Sequence, residues 1–147
     1  MPWVSITRLH LRGFRYLLPF AWRSHLSSRQ AERAPGFLAG AVFGNPLHKT
    51  FWTLTVWKDE PAMREFRRSG DHRNVMPLLA DWCDEAAIAH WQQRDAAVPS
   101  STEMLQRMQA TGRVARVNYP TSGHAEGKTV PDGRAPGRGS RLTPARD

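Results

Sequence analysis

Val4, Ile6, Leu9 and Leu11 stand among polar neighbours at near-alternate spacing, which predicts a first strand over residues 3–12, ended at Gly13. Leu18, Ala21, Trp22, His25 and Leu26 then recur at i, i+3, i+4, i+7 and i+8. That spacing predicts a helix with one apolar stripe, Pro19 in its first turn, and Arg23, Ser24, Ser27 and Ser28 facing away from the core. Pro35 and Gly36 stop it. Residues 37–43 and 50–58 are aromatic and β-branched runs separated by Gly44, Asn45 and Pro46, the pattern of two strands joined by a hairpin-like loop.

Asp59, Glu60 and Pro61 open a second helix with a capping acid, negative charge at the positive dipole end and an early proline. Arg67, Arg68 and Gly70 close it, and Ala62, Met63 and Phe66 form its buried side. Asp71 is placed as the cap of a shorter helix reaching Trp82, with Val75, Met76, Leu79 and Trp82 inward and Pro77 bending it. Residues 86–92 read as a fourth strand on the strength of Ile88, His90 and Trp91. Ser100 and Glu103 make a capping box for a last helix bearing Met104, Leu105 and Met108, stopped by Gly112. Residues 113–119 can add a strand. From Pro120 the chain has too little apolar content to offset its ordering entropy. The expectation is one folded domain over residues 1–119 and a disordered, basic, Pro/Gly-rich tail over 120–147.

This element order is that of an α+β, ferredoxin-like plait with an added C-terminal helix. Both faces of its sheet read as apolar: Phe51, Thr53, Thr55 and Trp57 against Trp52, Leu54 and Val56 on strand three, Phe37, Ala39, Ala41 and Phe43 against Leu38, Gly40 and Val42 on strand two. Two long helices cover one face only. A homodimer packed sheet to sheet, a dimeric α/β barrel, is the simplest cover for the other and would leave a small cavity between sheet and helices.

With 147 residues, 40% hydrophobic and 23% charged, the chain suits a single core. Its formal net charge of +8 permits attraction to anionic partners without naming one. Lone Cys83 excludes an intramolecular disulfide framework and makes a cytoplasmic location the simplest. No apolar run is long enough for a membrane span. The six arginines and single acid of residues 1–33 have transit-peptide composition, but the strand and helix patterning there reads as folded.

The stretch from Phe51 to Trp91 resembles the antibiotic-biosynthesis-monooxygenase-like dimeric α/β barrel superfamily. Trp57 ends a strand, an acid-capped helix follows, and Phe66, Ser69 and His72 match the pattern of a Phe and then a Ser before a His. More narrowly, TRLHLRGFRYLLPF, RQAERAPGFLAGA and WCDEAAIAHW resemble an uncharacterised bacterial branch akin to spheroidene-monooxygenase-like proteins. The likeness spans residues 4–119. It implies a monooxygenase-like protein that binds a hydrophobic or aromatic small molecule, with oxygen insertion as the reaction if it is catalytic. It also admits haem binding, or a noncatalytic dimeric binding module, so the cofactor is none or haem. In haem-degrading relatives a histidine at about the place of His72 ligates iron, but those proteins have a tryptophan where this chain has Phe66, and a strand-one asparagine not found here.

The residues themselves carry candidate chemistry. His72, in the first turn of a helix, feels a positive dipole end that favours neutral imidazole, able to accept a proton or bind iron. The bland alternative is a partly exposed histidine. His90 alternates with Ile88 on strand four and is the second catalytic candidate, against the commoner outcome of a satisfied core histidine. Trp52 and Trp57 lie on opposite faces, so at most one can line the cavity; both, with Phe66 and Arg73, are substrate-binding candidates. Arg12, Arg15 and Arg73 can hold a carboxylate or haem propionate. Asp84, Glu85 and His90 fit no metal motif, so no structural metal is expected. Acids beside Cys83 disfavour a nucleophilic thiolate. The segment from Arg12 to Tyr16 mimics part of an RNA-recognition motif but lies on the wrong strand, so no specific nucleic-acid partner is expected.

Overall fold

A computed structural model describes residues 1–145. The first apolar run forms β1 (Trp3–Leu11), and a 3-10 turn at Phe14–Tyr16 leads into α1 (Leu17–Arg33). The hairpin follows as β2 (Phe37–Asn45) and β3 (Thr50–Trp57), then α2 (Glu60–Arg67), α3 (Gly70–Trp82) and β4 (Cys83–Gln92). Helix α4 (Ser101–Thr111), the short β5 (Arg113–Val114), α5 (Ser122–Ala125) and β6 (Gly139–Leu142) complete the chain. Several ends are set by the residues expected to set them. The Asp59 carboxylate accepts the Ala62 N–H at 3.0 Å and starts α2, and the Ser100 hydroxyl accepts the Glu103 N–H at 3.1 Å and starts α4. Asp71 is not a cap: Ser69 occupies that position, and Asp71 lies within the first turn of α3.

The strands form one antiparallel sheet in the order β5-β4-β1-β3-β2-β6. Register sets Ser5 between Thr55 and His90, and Thr7 between Thr53 and Ile88. On that face α1, α2 and α3 pack, with Phe37, Trp57, Met63 and Phe66 in one apolar cluster and Leu9, Leu11, Phe20 and Cys83 in another. The α+β, ferredoxin-like arrangement expected from the sequence is the one observed.

Two expectations change. Helix α1 lies where the periodicity puts it but presents the opposite side. Phe20 and Ala31 are buried against the sheet with Ser24, Ser27 and Ser28 between them, while Leu18, Ala21 and Trp22 face solvent. The stretch from Pro120, expected to be disordered, holds α5 and β6 and buries His124, Val130 and Leu142; residues 146–147 lie outside the described residues. Together with α4 it covers the second sheet face: Met104, Met108 and Val130 pack on Val4, Ile6, Trp52, Leu54, Val56 and Trp91. That face therefore needs no second copy of the chain to hide it, and the reason for expecting a homodimer is met within one subunit.

Polar contacts hold this cover down. Arg8, 1% exposed in the middle of the second face, pairs with Glu85 at 2.8 Å and with Asp132 at 3.5 Å. The Thr121 hydroxyl donates to Glu85 at 2.8 Å, and the Thr129 hydroxyl donates to the Met108 carbonyl at 3.1 Å. A buried guanidinium without these acids would carry an uncompensated charge, so Arg8 ties the C-terminal segment to the sheet.

Candidate functional site

Between the first sheet face and the three helices lies a cavity of about 230 Å³. Its floor is Ser5, Thr7, Thr53 and Thr55, paired across β1 and β3, with Ile88 and His90 beside them on β4. Ser24, Ser27 and Ser28 of α1 add hydroxyls to one wall, and Phe66, Val75, Leu79 and His72 form the apolar side. The result is an oily chamber dotted with short hydroxyls, suited to a largely apolar ligand that carries oxygen substituents.

His72 is placed by a tight joint between α2 and α3. Gly70 adopts φ +52°, a left-handed conformation that glycine takes without strain. Gln30 of α1 then clamps the joint. Its Nε2 donates to the Ser69 carbonyl at 2.8 Å and the Phe66 carbonyl at 3.3 Å, and its Oε1 accepts the His72 backbone N–H at 2.8 Å. The His72 ring lies 4.7 Å from that of Phe66, centroid to centroid. Its Nδ1 is buried with no partner among the described residues, as is the Ser27 hydroxyl. A buried polar atom without a partner costs free energy, so both atoms favour a ligand that bonds to them.

Burial pushes the His72 pKa below its ordinary value, and the nearby Arg67 charge adds to this. Burial lowers His90 as well; Arg67 and Arg113 repel its proton while Glu60 attracts it. Both imidazoles are neutral at neutral pH, and both line the same chamber.

The structure thus gathers His72, His90 and Phe66 at the cavity and leaves the other candidates outside it. Trp57 is fully buried beneath the helices, 5.1 Å from Phe66 and 5.4 Å from Phe37, and Trp52 is buried in the second face. Arg73 is exposed, on the outer side of α3. Arg12 and Arg15 donate to the Tyr16 hydroxyl away from the chamber, while Arg67 and Arg116 line it. The arginines expected to hold haem propionates are therefore not in the chamber with His72, and the residues present do not fit the haem arrangement expected from the sequence.

The Asp84, Glu85 and His90 grouping is also split. His10 bonds Asp84 at 2.5 Å, and its ligand atom lies within 4.8 Å of those of Asp84 and Glu85, whereas His90 faces the cavity. Burial, then the Asp84 charge, pushes the Cys83 thiol up to about 12, leaving it unreactive.

Sequence reasoning set Ser24, Ser27 and Ser28 on the outer side of α1 and gave none of the seven hydroxyls a part in the cavity. Their one signal is in β1, where the apolar positions switch parity between Ile6 and Leu9 and leave Ser5 and Thr7 on a face otherwise apolar.

No family model and no curated protein matches the chain. Solved structures do. The protein Rv0793 from Mycobacterium tuberculosis aligns with TM-score 0.59 at 13% identity, over 67% of this chain and 100% of its own. A variant of SnoaB, a cofactor-independent oxygenase from Streptomyces nogalater, aligns with TM-score 0.53 at 15% identity, over 67% and 98%. An antibiotic biosynthesis monooxygenase aligns with TM-score 0.55 at 15% identity, over 66% and 99%. Such likeness establishes architecture, while chemistry rests on the site. The chain has the fold of the antibiotic-biosynthesis-monooxygenase-like proteins.

Proposed function

We propose that the chain is a monooxygenase-like protein that binds a mainly apolar, aromatic small molecule bearing oxygen substituents in the cavity, and inserts oxygen into it. The observation that carries this reading is the pairing of two neutral, half-buried histidines with a hydroxyl-studded apolar chamber. The cofactor-independent oxygenase among the structural neighbours supports the choice of chemistry.

In this reading the hydroxyls of Ser5, Thr7, Thr53 and Thr55 hold the ligand's oxygens, and Phe66 orients its ring. His72 or His90 removes a proton from an activated ring methylene, leaving its electron pair on carbon. That carbanion is oxidised by O2, and a new C–O bond gives a peroxide anion. The imidazolium returns its proton to the peroxide, and loss of the second hydrogen from the same carbon with cleavage of O–O yields a carbonyl and water. One methylene and one O2 thus become one carbonyl and one H2O. Helices α1 to α3 keep bulk water from the carbanion.

The test begins with mass spectrometry of whatever copurifies with the chain, followed by O2 uptake on that compound. His72→Ala and His90→Ala together should abolish uptake while ligand-induced thermal stabilisation persists. Full turnover in the double variant would end the reading. Stabilisation without turnover in the unaltered protein would favour a noncatalytic binding module.

A further inference from the structure

The outward side of α1 offers a second surface. Phe14, Leu18 and Trp22 follow one another at i, i+4 and i+8 and are 59%, 84% and 61% exposed. Lys49 Nζ lies 4.8 Å from the centre of the Phe14 ring, which draws the β2–β3 turn alongside and adds Leu47, 83% exposed, to the same end of the molecule. Isolated exposed apolar residues are ordinary, but a helical ridge of large ones marks an interaction surface.

The charge around it narrows the partner. Arg29 and Arg33 are exposed and at helical spacing fall on the side of α1 that carries Leu18 and Trp22, and Arg15 is exposed in the turn before it, where it donates to the Tyr16 hydroxyl. Residues 1–58 carry eight lysines and arginines against one acid, Glu32, while the remainder carries 13 against 12. Arg8 among those eight is buried and paired with Glu85 and Asp132, so the remaining seven cations of the segment that bears the ridge face one acid of that segment. The lone acid is engaged elsewhere: Glu32 Oε2 accepts the Thr143 N–H at 3.1 Å. Two copies meeting ridge to ridge would press these arginines against their own kind. A nucleic acid would satisfy the charge but offers no apolar phase to Leu18 and Leu47. An anionic bilayer offers both, with acyl chains for Leu18, Trp22 and Phe14 and lipid phosphates for the guanidinium groups.

We propose that the chain docks peripherally on anionic lipid surfaces through Phe14, Leu18, Trp22 and Leu47, with Arg15, Arg29 and Arg33 on the headgroups. Helix α1 then has one side on the lipid and the other, with Ser24, Ser27 and Ser28, in the cavity wall. The docking surface stands independently of what the cavity does.

The experiment is flotation of the full chain with vesicles of phosphatidylcholine alone or mixed with phosphatidylglycerol. Binding to the mixed vesicles is expected, with little to phosphatidylcholine alone, and it should fall steeply as salt rises. Leu18→Asp with Trp22→Asp should weaken it about tenfold or more, with the circular dichroism melt unchanged because both side chains are solvent-facing. Arg15→Gln with Arg29→Gln should reduce the preference for the anionic lipid. Absence of binding to the mixed vesicles would overturn the proposal, as would binding that the Leu18 and Trp22 changes leave intact. It would equally be overturned if light scattering showed the unaltered chain to be a dimer that Leu18→Asp dissociates, or if RNA bound in its place and lipid did not.

Discussion

At the scale of single residues, burial decides which groups can act. His72 and His90 are held below the ordinary 6.5, so between that value and their depressed native values the unfolded chain binds more protons than the folded one. Stability is complete above about 6.5 and is lost as pH falls through that window. Urea midpoints measured across this range should show that loss, and His72→Gln with His90→Gln should flatten the curve. Cys83 behaves oppositely: with its thiol pushed up to about 12, iodoacetamide should leave it unmodified in the native chain at neutral pH and label it fully after denaturation. Both effects were half-legible in the sequence. The first-turn place of His72 and the acids beside Cys83 could be read from neighbours along the chain. Burial moves each group further than those neighbours do, and it depends on helices that pack from distant sequence. Gln30 could not be read at all, since its three hydrogen bonds reach residues 36 to 42 positions away. Gln30→Ala should cost about 1–3 kcal/mol and weaken ligand binding through the displaced His72, measured as a lower melting temperature and a raised Kd.

At the scale of elements, α1 shows why a correct helix can be read inside out. Leu18, Trp22 and Leu26 satisfy one helical stripe, and Phe20, Ser24, Ser27 and Ala31 satisfy another on the opposite side. Hydropathy favours the first, because a core is ordinarily filled with the larger apolar groups. Here the buried stripe faces a cavity floored by serines and threonines, so small hydroxyls fit and large side chains would fill the chamber. The caps, prolines and glycines that bound each element are local signals and were legible; which side a helix turns inward depends on what lies across from it. The unpartnered Ser27 hydroxyl makes this measurable. Removing it relieves a buried unsatisfied group, so Ser27→Ala should raise stability by about 1 kcal/mol while weakening binding of an oxygen-bearing ligand. Thermal melts and ligand titrations on the same variant check both signs. A loss of stability would mean that the hydroxyl is satisfied within the protein.

At the scale of the molecule, the second sheet face carries the main difference between expectation and structure. Alternation along β2 and β3 reads both faces as apolar, Trp52, Leu54 and Val56 on the second are indeed buried, and a sheet with two apolar faces does need two covers. Composition then misled, because a stretch rich in proline, glycine and arginine offers few apolar groups of its own. It folds on a surface that supplies them: Val130 packs on the second face beside Met104 and Met108, Leu142 of β6 joins the cluster of Phe37, Trp57 and Phe66 on the first face, and Arg8 binds the segment through Asp132. Truncation after Tyr119 tests this directly. It deletes β6 and the Val130 contact, strips Arg8 of Asp132, and frees Glu85 from Thr121. The full chain should run as a monomer in light scattering at micromolar concentration, and the truncated chain should melt lower and associate, because part of an apolar sheet face is now bare. Val130→Asp in the full chain should move in the same direction without removing any backbone pairing. If the truncated chain stays monomeric with an unchanged melt, the C-terminal segment adds nothing to the cover.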